Sequence, residues 1–96
     1  MPKPIFKLSL VTPSEVWHAL SPDEQKALKP KAATNLAAVG GKPVLMCDAS
    51  WSNGEWQFFL VEQFPDMDAV QKHRALMNSM NWSRYLHQMF LFGTET

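Results

Sequence analysis

Apolar and polar residues alternate from Ile5 to Val11. Phe6, Leu8 and Leu10 fall on one side, and Ile5, Lys7, Ser9 and Val11 on the other. A period of two with one mixed face predicts a β-strand. The pattern changes at Thr12-Pro13-Ser14-Glu15 and again at Ser21-Pro22-Asp23-Glu24. Each tetrapeptide reads as a capping box, with a hydroxyl at the N-cap, proline at the first helical position and a carboxylate three residues on. The first predicts a short helix carrying Val16, Trp17 and Leu20. The second predicts a main helix that runs towards Val39 and stops at Gly40-Gly41. Pro30 lies inside it, removes one ladder hydrogen bond and crowds the carbonyl of Lys26, so a kink or break near Lys29 is expected.

The strongest strand patterns are 44–51 and 56–64, separated by Ser52-Asn53-Gly54-Glu55. Asn-Gly at the centre favours a two-residue type I′ hairpin. That register sets Trp51 opposite Trp56, Ala49 opposite Phe58, Cys47 opposite Leu60 and Leu45 opposite Glu62. Their face is almost wholly apolar, and the helices are expected to cover it. The other face carries Ser50 with Gln57, Asp48 with Phe59, and Met46 with Val61. Phe64-Pro65-Asp66 ends the strand and caps a helix over 67–80, with acidic Asp66 and Asp68 in its first turn. Its apolar stripe is Ala69, Val70, Leu76, Met77 and Met80, with His73 in the middle. Residues 81–85 read as a short turn of helix or loop, and 87–92 as a last strand ended by Gly93. In that strand Phe90 and Phe92 are expected to face the helices, sending His87, Met89 and Leu91 the other way. The order is β-α-β-β-α-β, a single α+β domain over residues 1–96.

Charge narrows the function. Nine Lys and Arg balance nine Asp and Glu, which leaves no excess of cations to neutralise phosphates and excludes the usual nucleic-acid surface. With 46% apolar, 11% aromatic and 19% charged residues, the chain is unlike a disordered one. A lightly charged, aromatic-rich small domain often hides part of its surface in a partner. Cys47 is the lone cysteine, which excludes an intramolecular disulfide and points to a reducing compartment. No secretory h-region follows Met1, and no apolar run approaches the roughly 20 residues that span a bilayer. A soluble cytoplasmic protein with no membrane partner is expected.

The segments 44–52, 59–70 and 82–93, together with the strand at 5–11, resemble the ferredoxin-like fold. In detail they are similar to the dimeric α/β-barrel superfamily. The resemblance implies a four-stranded antiparallel sheet with both helices on one face, and a homodimer. The superfamily includes cofactor-free monooxygenases, polyketide and pigment-pathway cyclases or accessory proteins, lactone isomerases, haem-degrading enzymes and stress-responsive proteins. Such a fold does not fix an activity. Burial argues for the dimer independently. The uncovered face would hold Ile5, Val11, Met46, Phe59, Val61, Met89 and Leu91, too apolar a set to leave wet.

The mixed face would gather Lys7, Ser9, Asp48, Ser50, Gln57 and His87. Asp48 and His87 are the candidate catalytic pair for acid–base work such as enolisation or ring closure. Lys7, Ser9, Ser50, Gln57 and Phe59 would then contact the substrate. The plainer reading is a polar network satisfying itself at the dimer interface. His73 is the alternative catalytic candidate, near Glu62 on the covered face, in a pocket walled by Trp51, Trp56 and Phe58 with room left by Cys47 and Ala49. Its plainer reading is a satisfied core histidine. A haem-ligating role is implied only by haem-degrading relatives, and no second residue supports it.

His18, His73 and His87 lack metal-ligand spacing, and Gly40-Gly41 lacks the context of a nucleotide loop, so no metal and no cofactor are expected. Pro2 is similar to the proline base of tautomerases, but Met1 precedes it and the rest of that pattern is missing. The methionines read as core fillers, and Trp82, Arg84 and Tyr85 as either a pocket mouth or part of the dimer seam. These features predict a small-molecule-binding homodimer. It would be a cofactor-independent enzyme, or an accessory protein, of an aromatic, polyketide or pigment-like biosynthetic pathway. The alternative is a non-catalytic ligand-binding or stress-related dimer. A cavity of a few hundred Å³ or more with convergent polar groups favours the first.

Overall fold

The structure is a computed structural model that describes residues 3–96; Met1 and Pro2, and with them the N-terminal proline considered above, lie outside the described residues. Strand β1 (Ile5–Pro13) is followed by a short helix α1 (Glu15–His18) and the long helix α2 (Pro22–Ala38). Strands β2 (Lys42–Asp48) and β3 (Phe58–Phe64) lead to helix α3 (Met67–Ser79), a 3₁₀ turn (Trp82–Arg84) and strand β4 (Leu86–Gly93). The four strands form one antiparallel sheet in the order β2-β3-β1-β4. This is the ferredoxin-like α+β arrangement, as the order of elements predicts.

Local chemistry explains the helix ends. At Ser21 the expected box is complete: Ser21 Oγ accepts from the Glu24 N–H at 3.2 Å, and Glu24 Oε1 accepts from the Ser21 N–H at 3.0 Å. The helix ends where Gly40 turns left-handed at φ 77°, with the Gly40 N–H on the Ala37 carbonyl and the Gly41 N–H on the Leu36 carbonyl, both 3.0 Å. That pair of bonds is a Schellman motif. Asp66 caps α3, its side chain accepting from the Ala69 N–H at 2.8 Å.

Two expectations are corrected. Thr12 caps no helix; it stays in β1, where its hydroxyl donates to the Glu55 carbonyl at 2.7 Å and accepts from the Gln57 N–H at 3.1 Å. The short helix starts instead at Ser14, whose own hydroxyl donates to the Arg84 carbonyl at 2.7 Å. Nor does α2 break at Pro30. It runs on to Ala38, because Pro30 and Lys26 are exposed and water can meet a carbonyl that loses its ladder bond.

The β2–β3 register is also one residue away from that expected. Asp48 pairs with Phe58, Cys47 with Phe59, Met46 with Leu60 and Leu45 with Val61, with an irregularity between Pro43 and Leu45. Asn53 is the cause. Instead of forming a two-residue turn, its side-chain oxygen accepts from the Glu55 and Trp56 N–H groups at 2.8 and 2.9 Å. Residues 49–57 become a loop, closed by the Ala49 N–H on the Gln57 carbonyl at 2.8 Å. Trp51 and Trp56 therefore do not pair, and Trp51 is 85% exposed.

Ile5 and Phe64, opposite each other across β1 and β3, both join the core beneath the helices with Leu36, Val39, Ala69 and Val70. Parity then fixes the faces. Ile5, Lys7, Ser9 and Val11 of β1 point to the helices with Phe58, Leu60, Glu62 and Phe64 of β3. The uncovered face carries Phe6, Leu8 and Leu10 with Phe59 and Val61, and Met89 and Leu91 of β4 beside them. Phe59, Val61, Met89 and Leu91 lie where the sequence places them. Ile5, Val11 and Met46 do not.

Candidate functional site

Three ionisable side chains lie on the helix side of the sheet. β1 and β3 set Lys7 opposite Glu62 across their ladder, on the helix side of the sheet. α3 supplies His73, which is buried and tilts its ring against Phe64 at 5.2 Å between centroids. β4 supplies the floor: Phe90 lies opposite Ser9, and Lys7 Nζ sits 4.1 Å from the centre of its ring. Burial lowers the pKa of Lys7; the Glu62 charge opposes this and Arg74 adds to it. Burial raises that of Glu62, against the pull of Lys7. Burial, helped by the charge of Lys7, lowers His73 to about 4. Each group is driven towards its neutral form. Groups whose burial disfavours their charged forms are candidates for acid–base work.

The residues singled out from the sequence scatter differently. Lys7 and Ser9 have helix-side parity and are not on the open face. Asp48 also has helix-side parity but is exposed at the end of β2. Its Oδ1 accepts from the Ser50 N–H at 2.9 Å and the Ser50 hydroxyl at 2.6 Å, bonds that hold its carboxyl below the usual range. Gln57 follows the loop, with its N–H on the Val11 carbonyl at 3.1 Å. Phe59 and His87 are on the open face, opposite Leu10 and Thr12 respectively. β2 and β4 are the two edges of the sheet. Asp48 and His87 are thus separated by β3 and β1, roughly 14 Å of ladder, and on opposite faces. They do not form a site. The strand order sets the distance, and the slipped register sets the opposite faces.

The burial of His73 on α3 and the helix-side parity of Glu62 were legible; the helix-side place of Lys7 beside Glu62 was not. The signal that locates it is charge, since a lysine and a glutamate of opposite sign favour directly paired positions on neighbouring strands. The expected tryptophan walls around His73 are not formed, because Trp51 projects into solvent and Cys47 has open-face parity. Trp82 and Tyr85 form a packed aromatic cluster. They pack edge-to-face on Trp17 and on each other, all three centroid distances being 6.0 Å. Among the described residues no group of three or more His, Cys, Asp and Glu could hold a metal ion. A concavity of about 390 Å³ forms a shallow depression on the open face, bounded by Phe6, Leu8, Val61, Leu91 and Phe92 and by residues 93–95. Concave space and ionisable cluster occupy opposite sides of the sheet.

Element order and strand order define a ferredoxin-like domain. A variant of chlorite dismutase from Candidatus Nitrospira defluvii is similar over 100% of this chain at 15% identity and a TM-score of 0.73; the chain spans 42% of that protein. A hypothetical protein of Arabidopsis thaliana shares 12% identity over 99% of this chain and 90% of its own, with a TM-score of 0.67. A dimeric ferredoxin-like protein of unknown function from Thermobifida fusca shares 14% identity over 97% and 92%, with a TM-score of 0.54. No protein-family model matches the sequence, and no curated protein does. Among the described residues no helix is long and apolar enough to cross a membrane.

Proposed function

We propose that the chain works as a homodimer joined through the open face of its sheet, and that each copy carries an acid–base site for a small carbonyl-bearing metabolite of the aromatic or polyketide kind. The observation that carries the chemistry is the placing of Lys7, Glu62 and His73 on the helix side of the sheet, each pushed towards neutrality by burial. Glu62 would take a proton from carbon next to the carbonyl, and the neighbouring neutral groups would stabilise the enol. No cofactor is needed for such a step, and the free Cys47 is compatible with a reducing cytoplasm. Support for the dimer is surface: Met89 and Leu91 are 52% and 60% exposed on the open face. One relative of the same fold is described as dimeric.

Deuterium uptake at the acidic carbon of a β-dicarbonyl compound, followed by NMR in heavy water, tests the chemistry. Glu62→Gln should slow exchange about 100-fold with the circular dichroism spectrum unchanged. Loss of exchange in Asp48→Asn, with Glu62→Gln fully active, would overturn the assignment. The second reading, a non-catalytic binding dimer, is favoured by the apolar depression on the open face. It predicts ligand binding that Glu62→Gln leaves intact and no exchange in any variant.

A further inference from the structure

Lys7 and Glu62 face each other across the β1–β3 ladder. Opposite charges so placed, with β-carbons about 5 Å apart, are suited to form an ion pair. These two do not: the one ion pair among the described residues is Lys72–Asp68, on the exposed side of α3. Lys7 instead extends its amine over the ring of Phe90 on the edge strand, 4.1 Å from the centroid. Phe90 and Phe92 share the helix-side parity of β4, yet are 42% and 49% exposed. The helices leave this part of the sheet bare. A small molecule can therefore reach the amine from the β4 edge along an aromatic floor, with the Glu62 carboxyl on the far side.

A half-buried lysine on an apolar surface, close to a carboxyl that does not clamp it, suits a nucleophilic amine. We propose that Lys7 forms an imine with an aldehyde or ketone that also bears a carboxylate or phosphate, the anionic group being met by Arg74. Arg74 belongs to α3 and is exposed, and its charge is felt at Lys7. This inference rests on the acid–base reading above and names its substrate class. The amine adds to the carbonyl carbon, and the oxygen takes a proton from the Glu62 carboxyl. The added nitrogen gives up a proton to the Glu62 carboxylate, which passes it to the hydroxyl; water leaves as the nitrogen lone pair closes the C=N bond, and Glu62 is left as the carboxylate. The iminium draws electrons from the adjacent C–H bond, and that proton goes to the Glu62 carboxylate, leaving an enamine. Reprotonation and hydrolysis release the product and the free lysine. No oxidant or reductant is consumed. The burial that lowers the pKa of Lys7 raises its reactive fraction near neutral pH.

The test is reductive trapping at pH 7 with glyoxylate and cyanoborohydride, read by peptide mass spectrometry. Acetaldehyde serves as the uncharged comparison. Lys7 should be labelled at least about 10-fold faster than exposed Lys26, Lys31 and Lys72. Arg74→Gln should slow labelling by glyoxylate and not by acetaldehyde. Lys7→Met, or Lys7→Arg if the first fails to fold, should remove the fast label. Labelling of the exposed lysines as fast as Lys7 in the unmodified protein overturns the proposal without recourse to any variant. If Lys7 is not trapped while Glu62→Gln still abolishes C–H exchange, the imine falls and the acid–base reading stands. Fast trapping at Lys7 with no C–H exchange supports the imine and removes proton transfer by Glu62.

Discussion

His73 is the one titratable side chain among the buried polar residues Ser9, Ser14 and His73. Its pKa falls from 6.5 to about 4 on folding, so below pH 6.5 the unfolded chain binds a proton that the folded chain refuses. Stability is then full above pH 6.5 and declines as the pH drops towards 4. Glu62 works in the opposite sense, since its raised pKa favours the protonated folded form. Comparison with His73→Gln isolates the histidine. Melting temperatures measured from pH 8 to pH 4 should show the unmodified protein losing stability relative to the variant only below about 6.5. At this scale the sequence was legible where a residue's neighbours lie on elements set by strong local patterns. His73 on the apolar stripe of α3 and Glu62 on the β3 parity are such cases. Lys7 and Asp48 were not, because their faces depend on pairing with distant strands.

Helices whose ends carry complete chemistry appear where the sequence puts them. Ser21 and Asp66 cap their helices with side-chain bonds, and Gly40 ends α2. Thr12 misleads because the 49–57 loop competes for its hydroxyl, and the Glu55 carbonyl wins. Asn53 misleads in the same way: its side chain satisfies two N–H groups of the loop, and this local bond displaces the two-residue turn. One slipped residue there moves a whole strand's side chains to the other face. Gly40 supplies the element-scale prediction. A Cβ at this position would meet only the Pro65 ring, with Cγ at 3.6 Å and Cδ at 4.0 Å, both ordinary contact distances, so the penalty for Gly40→Ala is that of the left-handed backbone alone. The expected loss is about 1 kcal/mol, read as a lower urea midpoint with an unchanged slope.

The molecule is a slab, 45 × 31 × 16 Å. Its radius of gyration is 13.8 Å, against about 12.5 Å for a compact chain of this length. Its accessible surface is 6590 Å², against about 5,600 Å² for a monomer of this mass. Both excesses follow from a sheet covered on one side. Topology was legible in the sequence because the succession of elements admits few arrangements; the thinness of the slab was not, since it depends on how little of the sheet α2 and α3 cover. Leu91→Asp puts a charge into the middle of the open face and should convert a dimer into a monomer in sedimentation velocity runs at micromolar concentration. A dimer that survives it would have to be joined elsewhere. The strand order has one more consequence, for synthesis. β1 is the inner strand nearest the N-terminus, and both of its partners, β3 and β4, come later in the chain. A nascent chain that has not yet emerged as far as Phe58 offers β1 nothing to pair with. The ribosome therefore releases more than half of this domain before the first sheet bond of β1 can form.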